Sequence, residues 1–222
     1  MLKLKQIKML PAREQVASIL RQAILSGDFV QGQWLTLDAV AQQVGMSRTP
    51  VREAFQLLAS EGLIRLLPNR GAQVLGITPE TIRDHYEIRL LLEDEAIARA
   101  SRRKAPLDKL RQAHSQGQAA ILENDPEGVN DANQAFHLAI WEASGSEKLK
   151  FLLSHLWNGL SMDWITGKED LTALSQQDHE RILIGLASEN EQEARLAIRA
   201  HVHRSMETLL SHYPPPNGDH SK

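Results

Sequence analysis

Three histidines carry the most pointed chemical signal in this chain. His137 lies with Phe136, Ile140 and Trp141 on one helical stripe, and Asn133 stands one turn before it, at i−4 on the same face. His179 shares a face with Ile182, Leu183 and Leu186, and His201 with Ala194, Ile198, Ser205 and Leu209. Apolar stripes point inward, so three imidazoles from three helices are expected in one interior. Burying an unpaired imidazole is costly. Two accounts meet that cost: each ring makes its own buried hydrogen bond, or all three share a divalent cation of the Zn, Ni or Mn type, for which neutral imidazole is a common ligand. Periodicity leaves both open. An ion with an open position would serve an effector pocket, a metal-dependent enzyme or a regulator sensing the ion itself. No general base stands out beside the trio, which counts against the enzyme. The other histidines read as solvated or rim residues; His203 points about 200° away from His201 on an ideal helix.

Arg89 is a further candidate. It stands four residues before Glu93 on one helix, which allows either an ordinary helix ion pair or a guanidinium facing a cavity. Trp141, Trp157 and Trp164 suit a cavity wall and an ordinary core equally well.

A second constellation lies in the first third of the chain. Ser47-Arg48-Thr49-Pro50, with Arg52, opens a helix. A helix N-terminus carries partial positive charge and free N–H groups that suit a phosphate. Arginine forks read guanine O6 and N7 in a major groove. Alone, the tetrapeptide is a capped helix with surface arginines; its neighbours decide the reading.

Those neighbours form a compact module. Pro11 opens a helix whose apolar positions are Val16, Ile19, Leu20, Ala23 and Ile24, stopped by Gly27. A loop follows from Asp28 to Trp34. Thr36 caps a short helix over 37–44, ended by Gly45. After the turn at Met46 and Ser47, Val51, Ala54, Phe55, Leu57 and Leu58 give the third helix its buried face. Leu63–Leu67 and Ala72–Leu75, joined by Pro68-Asn69-Arg70-Gly71, read as a hairpin. This is the order of a winged helix-turn-helix. From Thr78 onward no strand is credible. Six helical patterns begin at Pro79, Pro106, Pro126, Ser146, Asp170 and after Asn190, and make an antiparallel bundle.

Charge follows the same division. Residues 1–75 hold 9 Lys/Arg against 5 Asp/Glu, and residues 76–222 hold 16 against 23. A basic first module suits a polyanion. The 222 residues are 42% hydrophobic, enough for a real core. There is no Cys, so a disulfide framework, thiolate metal sites and a catalytic Cys are excluded. No apolar run approaches the roughly 20 residues of a membrane span, and Met1–Leu10 has no secretory h-region. The expected address is the cytoplasm.

Residues 13–77 resemble the DNA-binding domain of the GntR family. The resemblance is carried by Ala23-Ile24-Leu25-Ser26-Gly27, Ser47-Arg48-Thr49-Pro50-Val51-Arg52-Glu53-Ala54, Glu61-Gly62-Leu63-Ile64 and Pro68-Asn69-Arg70-Gly71. It implies that Ser47, Arg48, Thr49 and Arg52 meet phosphates or bases in the major groove, and that Asn69, Arg70 and Gly71 form a wing tip at the minor groove. Some relatives place a DNA-contacting Arg near the start of the second helix; here Asp38 stands about there.

Residues 78–213 resemble the FCD ligand-binding domain of the FadR subfamily, and six helices fit its VanR-like group. Tyr86-Glu87-Ile88-Arg89 with Glu93, Asn133-Gln134-Ala135-Phe136-His137, His179-Glu180-Arg181-Ile182-Leu183 and Arg199-Ala200-His201 carry it. The metal-binding branch implies Asn133, His137, His179 and His201 as ligands, with Asn133 where many relatives have Asp. A neutral amide is a poorer donor to a hard cation. The resemblance also places Arg89 against an effector carboxylate.

The expectation is therefore a mainly α chain: a winged helix-turn-helix over 10–77, an FCD bundle over 78–213 and a disordered tail over 214–222. Functionally it is a ligand-responsive bacterial transcription regulator, a repressor that binds a palindromic operator as a homodimer. A divalent metal ion and a small organic acid occupy its bundle.

Overall fold

The computed structural model describes residues 11–68, 70–159 and 169–212. Asn69, Trp164, the first ten residues and the tail over 214–222 lie outside them. The chain divides into two units, Met1–Ile77 and Thr78–Lys222.

In the first unit the elements are α1 (Ala12–Leu25), β1 (Trp34–Leu35), α2 (Leu37–Val44), α3 (Arg48–Ser60), β2 (Ile64–Leu67) and β3 (Gly71–Val74). Val16, Ala17, Leu20 and Ile24 of α1 are buried together with Val51, Ala54, Phe55 and Leu58 of α3. Ile19, expected in that stripe, is 53% exposed. At 100° per residue it lies roughly 115° from the centre of the buried set, and Ala17 takes its place. Thr36 caps α2, its Oγ1 accepting from the Ala39 amide at 3.2 Å. Gly45 ends the helix in the left-handed region, at φ 65°. Ser47 holds the N-cap position of α3, but its hydroxyl makes no capping bond.

The expected hairpin is β2–β3, paired from Ile64↔Val74 to Leu67↔Gly71. A third strand was not expected: β1 adds to the other edge of β3, in the order β1-β3-β2. Two residues are too few to show alternation, so the sequence reads as a loop there. Gly71 has φ 94°, and a Cβ on it would stand 2.1 Å from the Leu35 carbonyl oxygen. The close approach of β1 to β3 thus gives this glycine a folding role of its own.

The second unit is an antiparallel bundle of α4 (Pro79–Arg102), α5 (Asp108–Leu122), α6 (Pro126–Ala143), α7 (Glu147–Gly159), α8 (Glu169–Ala187) and α9 (Glu191–His212) among the described residues. Thr78 caps α4 and Pro79 sits at its start, as the sequence predicts. The second helix begins at Asp108 rather than Pro106. α4 packs along α9, α5 along α6, and α8 along α9. Two features fix α9. The Asp94 carboxylate accepts from Arg195 (Nε, 3.1 Å) and Arg199 (Nε, 2.7 Å; Nη2, 2.8 Å), which clamps α4 to α9. At Gly185 a Cβ would lie 2.6 Å from the Ala194 nitrogen, so α8 and α9 approach backbone to backbone. This closeness brings the faces bearing His179 and His201 together. No helix among the described residues is long and apolar enough to cross a membrane.

Candidate functional site

The three stripes do converge. His137 on α6, His179 on α8 and His201 on α9 are 0%, 1% and 4% exposed, and each offers a ring nitrogen within 4.8 Å of the others. The Nε2 atoms of His137 and His201 are 3.0 Å apart. At that distance one ring donates a hydrogen bond to the other; nitrogen ligands about 2.1 Å from one six-coordinate ion stand about as far apart, so the spacing suits either a hydrogen bond or a shared cation. Phe136 stacks on the His179 ring at 4.0 Å and 12°, which sets that ring's plane. Both His179 nitrogens and the Asn133 Oδ1 are buried without a hydrogen-bond partner. A cavity of about 70 Å³ adjoins the cluster, lined among others by Arg89, Asn133, His137, Trp157, His179 and His201. That is room for on the order of five water-sized groups.

Two buried carboxylates stand behind the rings. Glu93 of α4 is fully buried. Its Oε2 accepts from the Trp141 indole N–H at 2.8 Å, and its Oε1 from Arg89 Nε at 3.3 Å. The same Oε1 lies 3.1 Å from His137 Nδ1, a close electrostatic contact that does not count as a hydrogen bond. Burial raises the Glu93 pKa, but His137, Arg89 and the Trp141 bond outweigh it and hold the carboxyl at about 2. Burial depresses His137 to about 4, against the pull of Glu93. Asp178 of α8, 2% exposed, lies 3.5 Å from His201 Nδ1 and also accepts from Arg204. Burial raises the Asp178 pKa too, but His201 and Arg204 hold it below its ordinary value. Burial, and then the neighbouring His201 and His137, put His179 well below its ordinary value. His137 and His179 are therefore neutral near pH 7, the state that ligates metals. A carboxylate behind Nδ1 directs a ring's Nε2 lone pair inward, the usual support for a metal-ligating imidazole.

Sequence reasoning missed both carboxylates as parts of this cluster. The sequence offers Glu93 as the partner of Arg89 and in a segment resembling the FCD domain, without a place beside the histidines, although a Glu on the apolar face of α4 between Tyr86 and Ile97 is a legible signal. Asp178 gave none. Their presence removes the argument that no base stands near the trio. Arg89 answers both of its readings: it is 3% exposed, bonds Glu93, and lines the cavity with its guanidinium 4.6 Å from the Trp157 ring. Trp141 lies behind the site, on Glu93, rather than in the cavity wall. His85 and His114, expected to be solvated or at the rim, are part-buried, each with an Nε2 that has no hydrogen-bond partner. Burial, then Arg89, lowers His85 to about 4.

In the first unit, Ser47, Arg48, Thr49 and Arg52 are all exposed at the start of α3. Arg48 and Arg52 continue to Gln56 at i, i+4 and i+8, an exposed stripe the sequence reading did not extend that far. All three border an open groove, together with Asp38, Arg70 and Gly71. Asp38 Oδ1 lies 3.0 Å from Arg48 Nε.

Residues 12–74 match the family described as bacterial regulatory proteins, gntR family, and residues 84–204 match the FCD domain. The HTH-type transcriptional regulator LutR of Bacillus subtilis is 28% identical over 214 residues, covering 86% of this chain and 97% of the relative. The regulator McbR of Escherichia coli is 30% identical over 145 residues, 64% of this chain and 66% of the relative. The solved structure of E. coli McbR/YncC has the same fold, with a TM-score of 0.71 at 24% identity over 93% of this chain and 100% of that one. A GntR transcriptional regulator from Rhodococcus sp. RHA1 gives 0.67 at 26% identity, over 91% and 99%. The matched domains and these relatives belong to transcription regulators and not to enzymes, and this chain is a member of the GntR family whose winged helix-turn-helix is followed by an FCD domain.

Proposed function

We propose that this regulator is a cytoplasmic repressor that binds a palindromic operator as a homodimer and releases it when a small organic acid enters a metal-containing pocket in the bundle. The observation that carries the reading is the convergence of three buried imidazoles beside a cavity that also holds Arg89. His137, His179 and His201, with Asn133, would hold a divalent cation of the Zn, Ni or Mn type. When bound, the ion would supply a Lewis-acidic position for an anionic ligand. The rings and the amide are neutral, the carboxylates behind them are already paired with Arg89 and Arg204, and Arg89 adds a planar donor pair suited to a carboxylate. Glu93 and Asp178 hold His137 and His201 in the ligating orientation.

On the DNA side, Ser47, Arg48, Thr49 and Arg52 would meet phosphates and base edges in the major groove, and Asn69, Arg70 and Gly71 would form the wing contact. A two-fold dimer matches a palindromic site. Exposed Ile88 and Leu91 on α4, and Phe151 and Leu152 on α7, offer apolar surface for the second copy. An effector acts only if it binds one arrangement more tightly than the other.

The test is operator binding by fluorescence anisotropy with metal-loaded protein, alone and with a panel of mono- and dicarboxylic acids. An acid that weakens operator binding in the presence of metal, and not after chelation, supports the reading. Release by the metal alone would make the ion itself the signal. Indifference to every acid and to metal would sink the pocket assignment.

A further inference from the structure

Among the described residues, every charged side chain bordering the groove between α3 and the wing is basic except one. Arg48, Arg52 and Arg70 border it, and so does Asp38 from the first turn of α2. A carboxylate on a surface that meets phosphates is repelled by them. Asp38 Oδ1 lies 3.0 Å from Arg48 Nε, with the two side chains 72% and 62% exposed. An ion pair so exposed adds little to stability, and the favour of a helix N-terminus for a first-turn acid is met at any first-turn position of α2, so stability does not account for a carboxylate facing this groove. Position does. Arg48 is the first residue of α3, and the N-terminal residues of a recognition helix are those that reach base edges. Occupying Nε leaves the Nη1 and Nη2 donors, a planar pair that matches guanine O6 and N7. Without its partner, the same guanidinium would donate to phosphates whatever the base sequence.

We propose that Asp38 is a specificity-determining, positioning residue. It holds Arg48 by Nε so that the Nη edge reads one guanine, and it offsets charge that would otherwise strengthen sequence-independent binding. This rests on the reading of Arg48 as a DNA-contacting residue. A carboxylate in the groove has one other direct duty, accepting a bond from cytosine N4, and that duty would not run through Arg48.

The experiment uses the full chain as wild type, D38A, D38N, R48A and D38A/R48A. Each selects sites from a pool of random-sequence duplex DNA, and each is titrated with a duplex lacking any selected site as salt is varied. Asp38 is exposed, so its variants should melt as wild type does. D38A and D38N are expected to lose preference for one guanine, the same guanine that R48A loses, and the double variant to match R48A. Affinity of D38A for the unselected duplex should rise about fivefold at roughly 0.15 M salt, with the log–log salt slope steeper by about one. Wild-type base preferences in D38A and D38N would overturn the proposal, as would loss of a different base from the one R48A loses. If R48A itself keeps wild-type affinity and preference, the reading of Arg48 as a DNA contact fails, and that result is separate from the first two.

Discussion

The proposed ion site is tested most sharply at His179. Its two nitrogens have no partner, and its ring is held by stacking on Phe136. Replacing it by Ala removes one of the three imidazoles, the one that α8 contributes. An ion that binds only the folded state stabilises it by RT ln(1 + [L]/Kd), about 2.7 kcal/mol at a hundred times Kd and about 4.1 at a thousand times. For a unit of this size, 1 kcal/mol shifts Tm by roughly 2–4 °C. Wild type should therefore melt about 5–15 °C higher with saturating zinc or nickel than with chelator. His179→Ala also deletes a buried ring, which changes stability for reasons unrelated to metal. The diagnostic quantity is thus the difference between ion and chelator within each protein, read by scanning calorimetry beside elemental analysis. His179→Ala should show almost none of it, and Phe136→Leu, which keeps the ring and loses the stack, most of it. An equal shift and equal metal content in wild type and His179→Ala would refute the ligand assignment. No shift in reconstituted wild type would refute the site.

Other expectations follow from the same contacts. Arg89→Ala should lower acid affinity tenfold to a hundredfold, the worth of a charged hydrogen bond, with metal retained; calorimetry and elemental analysis on one preparation would read both. Arg48→Ala and Arg52→Ala should each weaken selected-site binding by roughly 1–3 kcal/mol at fixed salt, leaving the melting curve unchanged. Asp94→Asn should cost roughly 1–3 kcal/mol at neutral pH by breaking the α4–α9 clamp, its partners being part-exposed. Burial raises the Asp94 pKa, but Arg199 and Arg195 outweigh it and hold the carboxyl below its ordinary value. The clamp's contribution is therefore present above the unfolded-state pKa and lost as pH falls through the folded one. Wild type and variant should converge in urea melts carried into strong acid. Gly185→Ala places a Cβ against the Ala194 backbone. It should cost roughly 1–3 kcal/mol and weaken metal binding by separating α8 from α9; full retention of both would contradict the close approach.

Much of this was legible because periodicity and capping act locally. Thr36, Gly45, Thr78 and Pro79 mark helix ends by chemistry that needs no tertiary partner. The inward stripes of α6, α8 and α9 are set by spacing alone, so the convergence of three histidines could be expected. What could not be read depends on which element lies against which. β1 exists only because Trp34 and Leu35 meet β3, and two residues carry no pattern of their own. Asp178 sits one residue before His179, about 100° round the helix, and nothing along the chain says that α9 brings His201 and Arg204 to it. Glu93 lies between these cases. A glutamate on an apolar stripe, four residues after an arginine, already asks for buried partners. The ion pair with Arg89 answers only part of that demand, since a carboxylate has about four acceptor positions. Trp141 of α6 adds a second hydrogen bond, and His137 Nδ1 of the same helix stands 3.1 Å from the carboxylate. In this protein a buried acid with one visible partner was the signal that further partners, and a polar site, lay across the bundle.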